Sequence, residues 1–225
     1  ILIMKNKVAH SIMFHHFHNK IHLPSQGSLS ENEFREMLIW LQKNYSLIGA
    51  KDFIKKYESN KLSSSDICLS FDDGLKSQYD IAMPVLREFG IDAIFFIYSS
   101  IFTDNPNLLE IYRYFRITEF TCIDNFYKDF FNLVKILNEN EYIRHQYIFE
   151  ELDYLSSFPF YSNNDKWFRY LRDQYLNPIK YTELMKNLMN KKNFNIDKAK
   201  KNLWISLKEL NVIHKEGHTI GLHSY

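Results

Sequence analysis

Residues 67–74 read ICLSFDDG, and they constrain the fold more than any other stretch of the chain. Ile67, Leu69 and Phe71 alternate with Cys68 and Ser70, and turn-forming residues bound the run, so it reads as a short buried strand. Gly74 ends that strand. Residues 76–89 then carry Tyr79, Met83, Leu86 and Phe89 at helical spacing, and Gly90 stands where a helix C-terminus favours glycine. Residues 92–98, DAIFFIY, read as a second buried strand. Strand, helix, strand implies a parallel pair. Asp72 and Asp73 therefore fall at the carboxyl end of a parallel strand, the rim where α/β barrels carry their chemistry.

Two adjacent carboxylates on a desolvated rim repel each other unless a metal or a base stands nearby. A plainer reading makes Asp73 the N-cap of the following helix, accepting backbone N–H bonds. The bare tripeptide leaves both readings open.

Upstream, residues 8–14 read as a first strand. A loop with His15, His16, His18 and His22 follows, and such clustering raises the question of metal binding. Pro24 and Gly27 mark it as a loop. Residues 30–43 are a helix: Ser30 and Glu33 form a capping-box pattern, and Phe34, Met37, Leu38 and Leu41 share one face. A short strand at 45–48 and a short helix at 50–57 continue the alternation. The first hundred residues thus read as the start of an α/β barrel.

The pattern changes after Ile101. Strand signals become rare and helical stripes take over: Phe126, Phe130, Leu133 and Leu137 in one, Leu203, Leu207 and Leu210 beside Trp204 in another. The spacing between Asp73 and His223 is far longer than one strand–helix unit needs. The expected organisation is an N-terminal half-barrel at 1–100, a helical insertion at 101–215 and a return to the barrel at 216–225. The insertion reads as packed structural decoration, with a lid or acceptor-binding surface as the alternative. The basic run from Lys198 to Lys201 reads as a solvated helix face.

Two motifs in order resemble the polysaccharide deacetylase (NodB-homology) family. Ser70 to Gly74, read SFDDG, matches its first motif, T/S-F-D-D-G, and is followed by Met83-Pro84 in a helix and by Ala93 to Phe96 in a strand. Near the other end GHTIGLHSY, from Gly217 to Tyr225, resembles the lead-in to its second motif, G-H-x-I-G-x-H-S/T-x-x-H. The resemblance implies a partial, distorted (β/α) barrel and a metal-dependent hydrolase that removes N-acetyl or O-acetyl groups from a sugar or polysaccharide. It implies Asp72 as catalytic base, Asp73 and His223 as ligands of a divalent metal, zinc in most relatives, and His15 and His16 as rim residues. The motif's second histidine would fall beyond Tyr225, so the chain reads as truncated, inactive unless a partner chain completes the barrel. His218 and His223 differ by an odd number and would face opposite sides of a strand, which makes His218 structural. Two alternatives stay open: a non-catalytic glycan-binding or assembly protein on the same fold, and a hydrolase of small amides.

Charge excludes little but does not support nucleic acid as a partner: Lys and Arg number 28, Asp and Glu 27, a net charge of +1. Two cysteines are too few for a disulfide framework and suit a reducing compartment. No transmembrane segment and no signal peptide stand out, so the expected location is cytoplasmic.

Overall fold

The computed structural model describes residues 10–223 of the chain. Val8 and Ala9, the expected start of the first strand, and Ser224 and Tyr225 of the second motif lie outside the described residues. Among the described residues there are seven strands: β1 (His10–Phe14), β2 (Phe17–His18), β3 (Leu29–Ser30), β4 (Ser46–Leu47), β5 (Asp66–Asp72), β6 (Ile94–Ile97) and β7 (Thr219–Leu222). The main sheet runs in the order β1-β5-β6-β7, all pairings parallel, with β4 beside the first two residues of β5. A two-stranded parallel sheet joins β2 and β3.

Between β3 and β6 lie α1 (Glu31–Asn44), α2 (Ala50–Glu58), a π-helical turn (Gln78–Ala82) and α3 (Met83–Phe89). These parallel strands and connecting helices make an α/β arrangement around one parallel sheet. The expected alternation is found because its signals are local. Ser30 caps α1 through a complete capping box with Glu33, and Gly90 closes α3 in the left-handed conformation at φ 63°. Every residue of β5 is buried, as a central parallel strand requires. Its Phe71 stacks on Phe95 of β6 at 4.7 Å and on Phe14 of β1 at 5.5 Å, and Phe34 of α1 meets Phe14 edge-on. These rings form the centre of the core.

The later helices are α4 (Leu108–Thr118), α5 (Ile123–Leu137), α6 (Glu139–Glu151), α7 (Asn163–Tyr170), α8 (Pro178–Lys191), α9 (Ile196–Leu203) and α10 (Leu207–Lys215). The described residues fall into two compact units. One lies within Ile1–Ile111 and Asp197–Tyr225 and holds the sheet; the other is Tyr112–Ile196. Segment 101–111 and most of α9 and α10 therefore cluster with the strands. The helical unit has its own aromatic core, in which Phe126, Phe130 and Phe168 are buried and Arg116 lies over the rings of Phe126 and Phe168.

Two expected stripes are corrected. The buried face of α5 is Phe126, Tyr127, Phe130 and Val134, while Leu137 is exposed. Leu203, Leu207 and Leu210 do not share one helix: α9 stops at Leu203, and Ser206 caps α10 through a second capping box with Glu209. An apolar period that happens to run on through a break hides that break from the sequence. Among the described residues no helix is long and apolar enough to cross a membrane.

Candidate active site

β5 delivers Asp72 as its last residue, and Asp73 and Gly74 form the turn that follows. Both take left-handed backbone, Asp73 at φ 75° and Gly74 at φ 63°. For aspartate this is a sparsely populated conformation, and its short polar side chain tolerates it better than most. The turn is fastened from a distant part of the chain. Ile205 donates its backbone N–H to the Gly74 carbonyl at 2.9 Å, and Leu75 bridges Trp204. A Cβ at Gly74 would lie 3.2 Å from the side chains of both Ile97 and Ile101, so the turn is packed from below as well. Asp73 is thus held in place by the turn rather than serving as a simple helix cap.

The first turn after β5 brings a second anchor. Gln78, fully buried, donates from Nε2 to the Asp72 carbonyl and, at 2.9 Å, to the carbonyl of His15. One amide therefore ties the exit of β1 to the end of β5. Gln78 begins the π-helical turn, which interrupts the single helix expected over 76–89.

β7 supplies the third side. His223 follows its last residue and donates its backbone N–H to the Ile97 carbonyl at 3.0 Å. Its ring packs 4.3 Å from that of Tyr98. Nε2 of His223 lies 3.3 Å from Asp72 Oδ2 and 3.9 Å from Asp73 Oδ1. The two motifs, far apart in the chain, meet here. His218 sits at the opposite end of β7, buried, with Nδ1 accepting the Ala93 N–H at 3.0 Å, so it is a structural histidine.

The histidines of the loop after β1 have different partners. His15 Nε2 is 3.9 Å from Asp73 Oδ2, with its side chain more than a third exposed. His16 Nε2 is 3.3 Å from Glu110 Oε2 and both side chains are largely covered. His18 and His22 are taken up elsewhere, by the Ser28 hydroxyl at 2.9 Å and Asp80 at 2.8 Å.

Glu110, in the first turn of α4, was not singled out by sequence. It is 8% exposed and its carboxylate, with His16 and Asp73, places three ligand atoms within 4.8 Å of one another. The only sequence signal was a carboxylate flanked by Leu108, Leu109, Ile111 and Tyr112, on a helix with little polar surface to spare. Electrostatics bear on what the cluster can hold. Burial, and then the charge of Glu110, push the Asp73 carboxyl above its ordinary range, with His15 and His223 opposing. Asp72 is buried too, and its Oδ1 has no hydrogen-bond partner among the described residues. Imidazole nitrogens and carboxylate oxygens converging around excess buried negative charge are a donor set that fits a divalent cation of the zinc type.

No family model matches the chain. The chain is 32% identical over 71 residues to a poly-beta-1,6-N-acetyl-D-glucosamine N-deacetylase of Staphylococcus epidermidis, a match covering 31% of this chain and 25% of that protein. It thus spans about a quarter of the length of that curated relative. Among solved structures it is similar to IcaB of Ammonifex degensii, at 23% identity over 41% of this chain and 39% of the other, with a TM-score of 0.36. A de-N-acetylase of Aggregatibacter actinomycetemcomitans gives 23% identity, 41% and 38% coverage and a TM-score of 0.35. The deacetylase PplD of Streptococcus pyogenes gives 16%, 48% and 51%, and 0.35. Over part of its length the chain is similar to the polysaccharide deacetylase family, as its two motifs indicate.

Proposed function

We propose that this chain carries the site of a metal-dependent hydrolase that removes N-acetyl or O-acetyl groups from a sugar or polysaccharide. The observation that carries this reading is the meeting of His223 with Asp72 and Asp73 on one rim of the sheet. The curated relative acts, by its name, on an N-acetylglucosamine polymer, and that supplies the substrate class to try first.

In this reading Asp73 and His223 hold the divalent metal, with zinc the first candidate. When bound, that ion would supply the Lewis acidity that makes a water nucleophilic near neutral pH and polarises an amide carbonyl. Asp72 is the general base. It ends β5 on the same rim as Asp73 and His223, where a base must stand to take a proton from the attacking water. As the C–N bond breaks, acetate leaves and the sugar amine takes the proton that Asp72 holds. Gln78 maintains the base through its backbone: with its bond to the Asp72 carbonyl, the end of β5 cannot drift from the exit of β1.

The test is acetate release from short β-1,6-linked N-acetylglucosamine oligomers, with zinc supplied. Asp72→Asn should lower kcat by about 10²–10⁴-fold, the usual worth of a general base, with the unfolding midpoint little changed. If the wild type releases no acetate with zinc or other divalent metals, yet binds the oligomers without metal, the chain is a glycan-binding protein and the hydrolase reading is wrong. Release only from small acetamides would move the substrate class and keep the chemistry.

A further inference from the structure

We propose that His16 and Glu110 join Asp73 and His223 as ligands of the metal, so that the ion sits in a cradle built from the loop after β1, the turn after β5, the first turn of α4 and the end of β7. The inference rests on the metal-dependent reading given above and names the residues that make the cradle.

Three observations carry it. The ligand atoms of His16, Asp73 and Glu110 all lie within 4.8 Å of one another, close enough for one ion to reach each with small side-chain adjustment. The donors are one imidazole and two carboxylates, a mixed set of the kind that binds zinc and its neighbours. Both carboxylates are buried, Asp73 at 6% and Glu110 at 8% exposure. Placing two like charges together away from water is costly, and one imidazole beside them removes only part of that cost. A bound cation offsets it.

The cradle is also fixed in place. The His16 carbonyl accepts the Leu29 N–H at 3.0 Å, and Phe17 next to it is buried in the core against Phe34. His15 is pinned through its carbonyl to Gln78. Asp73 is set by its left-handed turn, and α4 presents Glu110 from a helix, the rigid kind of support that a ligand needs. His16 Nε2 makes no hydrogen bond among the described residues and points at Glu110, so its lone pair or proton is uncommitted to any other element. His15, whose side chain is more exposed, remains on the rim 3.9 Å from Asp73.

The experiment is titration of the metal-free full chain with zinc and, separately, with cobalt, read by calorimetry and by the visible absorption of the cobalt form. The proteins are wild type, Glu110→Gln, His16→Gln and Asp73→Asn. Glu110→Gln is nearly isosteric and removes one of two facing charges. It should weaken zinc binding at least tenfold while leaving the metal-free unfolding midpoint equal or higher. A residue with a purely structural role would instead lower the midpoint and leave affinity alone. His16→Gln should weaken zinc binding similarly and alter the cobalt spectrum, because one nitrogen donor is lost. Wild-type affinity and spectrum in both the Glu110 and His16 variants, with binding lost in Asp73→Asn, would overturn this assignment and leave the metal-dependent reading standing. No zinc or cobalt bound by the wild type would overturn both.

Discussion

His218 shows how one buried ring couples stability to pH. It is 4% exposed, its Nδ1 accepts the Ala93 N–H, and its edge meets the Phe95 ring at 5.3 Å. Burial holds its pKa below the ordinary histidine value of 6.5. The folded protein therefore favours the neutral ring, and the unfolded chain binds the proton more readily. The contribution of His218 is fully present above about pH 6.5 and is lost as pH falls below it toward the folded value. We expect the urea midpoint to drop between pH 7 and pH 5, and the drop to shrink in His218→Asn, whose side-chain oxygen can still accept the Ala93 N–H without titrating. An equal drop in both proteins would place the pH dependence elsewhere. Asp66 acts at lower pH. The Ser63 N–H and the Lys56 ammonium hold its pKa below the ordinary aspartate value, so its stabilisation is fully present above that ordinary value and is lost as pH falls from it through the depressed folded one.

Among the elements, β7 is the one whose seating decides the site. Gly221 faces Phe96 of β6, and a Cβ there would lie 2.6 Å from the ring. Gly221→Ala must displace the ring or the strand, at a cost of about 1–3 kcal/mol. Because His223 follows β7 directly, the same change should reduce acetate release more than the loss of stability explains; thermal melts and kinetics on one preparation would separate the two. At α1 the consequence is confined to stability: Ser30→Ala removes the capping box and should cost about 1 kcal/mol in a denaturant titration. The contrast between these elements also marks what could be read from sequence. The capping box, the Gly90 cap and the apolar run of β5 are encoded in adjacent residues, as are Asp72 and Asp73 as a rim pair. Glu110 and Gln78 owe their roles to neighbours distant in sequence, and no local pattern marks them. His16 and His15 are adjacent in a loop, where no period tells which ring faces the carboxylates. The break between α9 and α10 was masked by a leucine spacing that imitates one helix.

Over the whole molecule, two compact units with separate cores, one around the sheet and one within Tyr112–Ile196, predict unfolding that is not two-state. Scanning calorimetry should give a measured enthalpy greater than the van't Hoff value, and ligation of metal should raise the transition of the sheet-containing unit selectively. A single transition with matching enthalpies would show that the two cores melt together. The clasp between Gly74 and Ile205, together with the pairing of β6 and β7, also has a consequence in time. At synthesis rates of about 5–20 residues per second, roughly seven to thirty seconds separate the emergence of the aspartate pair from that of its partners near Ile205 and His223. During that interval β6 presents a bare strand edge on the side that β7 will cover, an invitation to mispairing on a crowded ribosome. The rim at Asp72, Asp73 and His223 thus closes only after both halves of the clasp have emerged, and a chaperone that shelters β6 would govern how much of the chain reaches its folded form.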